Sequence, residues 1–124
     1  MDVTPDLPQG KQIVQSYGDG RFTISGQTYE GSVLVFADRV VPWPVSSFEE
    51  ITPESLQPVT DADADIGVLL LGCGQRMQLV TKALRDPVRE AGVVIEPMDT
   101  GAAARTFNVL LMEERRVAAA LLAV

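Results

Sequence analysis

The sequence predicts a mixed α/β sandwich, and three observations carry that prediction. Ile66–Leu71 is an uninterrupted apolar run, which suits a strand covered on both faces, as in a parallel sheet. From there the chain reads strand–helix–strand–helix–strand, an order that brings a right-handed crossover and at least two parallel strands. Before Trp43 the texture differs: turns follow closely among β-branched and aromatic residues, the mark of an antiparallel meander.

The elements follow in order. Residues 1–12 hold Pro5, Pro8 and Gly10 and read as a flexible leader to a single domain over 13–124. Ile13–Tyr17 is β-prone, Gly18-Asp19-Gly20 turns, and Phe22–Ile24 continues the pairing. Ser25-Gly26 turns again before Thr28-Tyr29; Ser32–Phe36 and Val40–Trp43 follow. Pro42 and Pro44 end the meander, because neither can donate to a ladder. Residues 46–60 read as short helical turns, with Thr52-Pro53-Glu54 carrying an N-cap and a first-turn proline. After the buried run, Met77, Val80, Leu84, Val88 and Ala91 fall at helical spacing. Pro87 interrupts them, so the helix either kinks there or begins late, near Thr81. Gly92 fits a helix stop, and Val93–Ile95 is a second strand. Asp99 or Thr100 caps a helix whose apolar stripe is Ala103, Phe107, Leu110 and Leu111. Val117–Val124 closes the chain as an apolar strand or helix end. The meander must complete the sheet and cover part of it.

Composition removes much familiar chemistry. The 124 residues carry a net charge of −7, no histidine and one cysteine. Histidine triads, histidine-ligated metals and histidine proton shuttles are excluded. So are an intramolecular disulfide and a multi-cysteine zinc cluster. No cofactor or metal ion is expected, although Asp, Glu, Arg and Thr still allow simple chemistry. The acidic balance argues against nucleic acid, whose phosphates demand Lys and Arg. No run approaches the ~20 apolar residues that span a bilayer, and the start resembles neither a secretory nor a transit signal. These features point to a cytoplasmic protein with no direct membrane insertion. The charge is uneven: residues 1–74 hold 3 basic and 11 acidic side chains, residues 75–124 hold 7 and 6.

Several residues are candidates for a site. Gly72-Cys73-Gly74 follows the buried strand; it is either a tight turn or a place where backbone amides approach an anion. Met98-Asp99-Thr100-Gly101 follows the next strand. If both strands are parallel, residues 72–76 and 98–108 share the edge where open α/β sheets bind ligands. Arg76, Arg105 and Asn108 would line that crevice. Arg105 and Asn108 read as off the apolar stripe: either they grip an anion or a partner's backbone, or they are a solvent-facing arginine and an ordinary polar flank. Cys73 lacks the histidine that would activate it. Asp61, Asp63 and Asp65 fail as a calcium loop, since Ile66 and Gly72 stand where glycine and glutamate are needed. Trp43 between prolines is either a partner contact or a lid on the core.

A resemblance adds to this. Leu69-Leu70-Leu71-Gly72-Cys73-Gly74, Glu96-Pro97-Met98-Asp99-Thr100, Ala103-Ala104-Arg105-Thr106-Phe107-Asn108-Val109-Leu110 and Glu114-Arg115-Arg116-Val117-Ala118-Ala119-Ala120-Leu121 occur in that order, with Trp43-Pro44 before them. Over residues 13–122 the chain resembles a family of small uncharacterised bacterial and archaeal domains that includes mitochondrial NADH:ubiquinone oxidoreductase complex assembly factor 3. The resemblance implies a layered α/β fold, with a mixed central sheet of about five strands, flanking helices and an extra antiparallel β layer. It implies no established catalytic activity. It does imply a protein partner, in respiratory-complex assembly for the eukaryotic member, and a homodimer remains open. Gly72, Gly74, Thr100, Arg105, Thr106 and Asn108 match the family pattern as pocket candidates. Cys73 departs from it, for relatives usually carry threonine there.

Overall fold

The computed structural model describes residues 11–124, so most of the expected leader lies outside the described residues. Strands β1 (Val14–Gly18), β2 (Arg21–Ile24) and β3 (Gln27–Glu30) form a three-stranded antiparallel sheet. Its two hairpins turn on Asp19-Gly20 and Ser25-Gly26, all four residues at positive φ (54°, 72°, 48°, 84°). That is the turn whose twist matches paired strands.

The meander then divides. Gly31, at φ 84°, leads β4 (Val33–Val35) and β5 (Val40–Pro42) into a different sheet. Short 3-10 turns and the single turn α1 (Gln57–Thr60) follow, as expected for 46–60. Then come β6 (Val68–Gly72), α2 (Lys82–Glu90), β7 (Val94–Met98), α3 (Thr100–Met112) and β8 (Val117–Leu121). The five-stranded sheet has the order β5-β4-β8-β6-β7, with β6 parallel to both β7 and β8 and β4 antiparallel to β5 and β8. The expected mixed sheet and additional β layer are both present. Half of the meander completes the sheet and half covers it.

The helix question resolves at Thr81: α2 begins late, its Thr81 hydroxyl accepting from Leu84 N–H at 3.3 Å. Met77, expected on that helix, stands in the loop before it and is 54% exposed. Asp99 is the cap of α3, accepting from Ala102 N–H at 2.9 Å.

Two cores flank the central sheet. One face packs Leu69, Leu71, Ala118 and Ala120 against Leu84 and Val88 of α2, Trp43 and the short turns. The other packs Leu70, Val117, Ala119 and Leu121 against Ala103, Phe107 and Leu111 of α3 and Val14, Phe22 and Ile24 of the small sheet. The chain steps from β6 one way to β7 and then back across to β8. Right-handed crossovers therefore put α2 and α3 on opposite faces. Both edges of this sheet carry a proline. Arg39 C=O accepts from Phe36 N–H and Trp43 N–H donates to Ser32 C=O, on either side of β4, so by alternation Val40 and Pro42 face outward. Val94 and Met98 bond toward β6, so Ile95 and Pro97 face outward. Each proline removes the N–H another strand would need.

Candidate functional site

The three parallel strands β6, β7 and β8 end together, so their following segments meet at one edge, as the sequence reading requires. Cys73 N–H donates to Met98 C=O at 2.8 Å, and Thr100 N–H donates to Gly74 C=O at 2.9 Å. The buried Thr100 hydroxyl accepts from Gly74 N–H at 2.9 Å and donates to Leu122 C=O at 2.8 Å. One hydroxyl thus ties the ends of all three strands. These bonds join the loops at the edge where the crevice was expected.

The glycines fit that closure. Gly74 sits at φ +101°, and a Cβ on Gly72 would stand 3.0 Å from the Thr100 Cα. Cys73 is buried and donates weakly to Leu71 C=O. Burial raises the Cys73 thiol above its ordinary value, with the Asp99 charge adding to this and backbone hydrogen bonds at Gln78 and Met98 partly opposing it. A thiol held protonated is a poor nucleophile.

Asn108 differs most from its sequence reading. It is buried, on the inner side of α3. Its side-chain carbonyl accepts from Val14 N–H at 3.0 Å, and its amide donates to Val14 C=O at 2.9 Å. The backbone it grips is its own chain's, and it grips where β1 bulges between Val14 and Ser16. An amide offers one acceptor and a donor in the same spacing as a strand residue, so Asn108 completes the edge of β1.

Arg105 is exposed and donates to the Tyr17 hydroxyl at 3.2 Å. That hydroxyl lies against Gly101, where any Cβ would overlap it. Thr106 is half-buried beside them in the chain, and Arg76 is exposed in the β6–α2 loop, away from this cluster in sequence. Trp43 is 3% exposed and its indole N–H donates to Ser55 C=O at 3.0 Å, the core-lid reading. Sequence reasoning missed Tyr17 and its meeting with Gly101, which it names only within the 98–101 segment, because that meeting joins residues 84 positions apart with no local pattern. It also missed Ser32, whose hydroxyl accepts from Ala123 N–H at 3.0 Å.

Among the surface hollows of the described residues, two are the roomiest of those around this cluster and the β4–β5 edge. One of about 530 Å³ is lined by the small sheet, including Ser16, Arg21 and Thr28. One of about 540 Å³ is lined by Pro42, Trp43, Pro44 and Ala123. Among the described residues no three acidic, cysteine or histidine side chains stand together as a metal site. No helix there is long and apolar enough to cross a membrane.

Residues 14–122 match the model of a family described as a protein of unknown function (DUF498/DUF598). The chain belongs to this family. Among relatives, it is 37% identical to an uncharacterised protein of Rhodobacter capsulatus over 91% of this chain and 86% of that one. It is 34% identical to NADH dehydrogenase (ubiquinone) 1 alpha subcomplex assembly factor 3 of Danio rerio, over 89% of this chain and 63% of the relative. The chain thus spans less than two thirds of that assembly factor. A crystal structure of a protein from Bordetella parapertussis superposes with a TM-score of 0.85 at 36% identity, covering 97% of this chain and 100% of that one. The family therefore takes in both bacterial proteins and eukaryotic assembly factors, and the Bordetella parapertussis protein shares this mixed α/β fold.

Proposed function

We propose that the chain is a non-catalytic, protein-binding module that acts as an assembly factor for a respiratory NADH:ubiquinone oxidoreductase, working from the cytoplasm and without nucleic acid. The observation that carries this reading is the 34% identity to assembly factor 3 across 89% of the chain. The site residues support it from another side. Thr100, Gly72, Gly74 and Asn108 are committed to internal hydrogen bonds or close packing, and Cys73 is held as a thiol. Those same bonds weigh against the rival reading, a small-molecule or anion crevice between 72–76 and 98–108. In this view the family residues fix a rigid shape, and the recognition lies on the surface they shape.

The test is deletion of the gene in its own cell, followed by native electrophoresis and NADH:ubiquinone oxidoreductase activity of the membranes. The expected result is accumulation of subcomplexes, with a tagged copy of the chain migrating among them. Fully assembled, active complex in the deletion strain would overturn the proposal.

A further inference from the structure

Of the exposed large apolar side chains among the described residues, Val109 and Met112 lie three apart on α3, Val94 is single, and Met77 and Leu79 stand together. They are 54% and 83% exposed, in the loop between β6 and α2. Val80 and Leu84 are buried in the core beneath, so the loop is anchored while its apolar tips face outward. Cations neighbour them in the chain. Arg76 is in the same loop, and Lys82, Arg85 and Arg89 fall at i, i+3 and i+7 of α2, one stripe of the helix. Arg85 reaches back to donate to Val80 C=O at 2.8 Å, which holds the stripe against the loop. The ion pairs of the described residues are Arg21–Glu30, Arg39–Asp38 and Arg116–Asp65. None involves these four cations.

Thus four of the ten basic side chains of a chain with net charge −7 sit unpaired in fourteen consecutive positions, beside two exposed apolar side chains. We propose that Arg76–Arg89 is a docking surface for an acidic segment of a partner protein that also carries apolar side chains. The proposal rests on the protein-binding reading above and names the surface. Charge complementarity argues for the acid: among the described residues, only here do several cations without an ion pair fall together. Two features favour a protein over an anionic lipid surface. Asp86 and Glu90 occupy the neighbouring strip of α2 and confine the positive field to a narrow band, unlike a polybasic lipid-binding cluster. Three of the four cations are arginine, whose planar fork pairs two-to-two with carboxylates.

The experiment places a photo-crosslinking residue at Leu79 in the full chain, in its own cell, with Gln27 of β3 as the control position. The expected result is a protein adduct at Leu79 but not at Gln27, mapped to an Asp- and Glu-rich segment. A synthetic peptide of that segment should then bind the purified chain, at least tenfold more weakly to the Arg76→Glu/Arg89→Glu double variant in 50 mM salt. The variant's circular dichroism melt should be unchanged. Adducts only to lipid, only to a second copy of the chain or to a non-acidic segment, or no adduct at all, would overturn the proposal. So would peptide binding indifferent to the double variant. If that variant still migrates with assembly subcomplexes, the surface is wrong and the assembly role stands. If Leu79 labels an acidic segment while deletion leaves the complex intact, the surface stands and the assembly role falls.

Discussion

Asn108 carries a disproportionate part of the molecule's organisation. It supplies a donor and an acceptor to one buried backbone residue 94 positions away. Asn108→Ala would strand both Val14 groups in a dry interior. A loss of about 2–4 kcal/mol of stability is expected in urea denaturation, since each unsatisfied buried group costs roughly 1–3 kcal/mol. A loss under 1 kcal/mol would show that β1 is held by other means. The Cys73 thiol gives a second expectation at this scale. Its raised folded value means the unfolded chain ionises first as pH rises. Its contribution to stability is therefore complete below the ordinary thiol range near 9.0 and is lost as pH climbs through the raised value. In a Cys73→Ala variant the decline of stability across that alkaline window should be shallower, as read from denaturation midpoints. Neither residue's role was legible in sequence. Asn108 reads as a polar flank because the helical stripe records side-chain polarity alone, and a buried amide with a distant backbone partner breaks no local rule.

At the scale of elements, the sequence was a good guide wherever the signal was local. Asp19-Gly20 and Ser25-Gly26 specify their hairpins through positive φ. Thr81 and Asp99 start their helices by accepting a backbone N–H. The misreading of Met77 has a physical cause: spacing alone cannot tell an apolar residue before a helix from one on it. Where the edge strands lead is a tertiary matter, but their prolines explain how the sheet avoids growing. Replacing Pro42 and Pro97 together with threonine restores an outward N–H on each edge. Concentration-dependent self-association should then rise in light scattering relative to the parent chain, with the melt retained; unchanged association would show that the edges are protected otherwise.

Across the whole molecule, the two halves divide the work. The acidic residues 1–74 supply the small sheet, the short turns, β4, β5 and the central parallel strand β6, and the arginine-bearing residues 75–124 supply β7, β8, both long helices and the free cations. The sequence by itself determined the fold class, the parallel second half, the turns and the caps. These follow from hydrophobic period and backbone conformation, which each residue expresses among near neighbours. Only the tertiary structure decided that the meander splits between two sheets, that Thr100 ties three strand ends together, and that Asn108 is a structural clasp. Those outcomes depend on contacts between residues far apart in the chain, and on the requirement that every buried polar group find a partner.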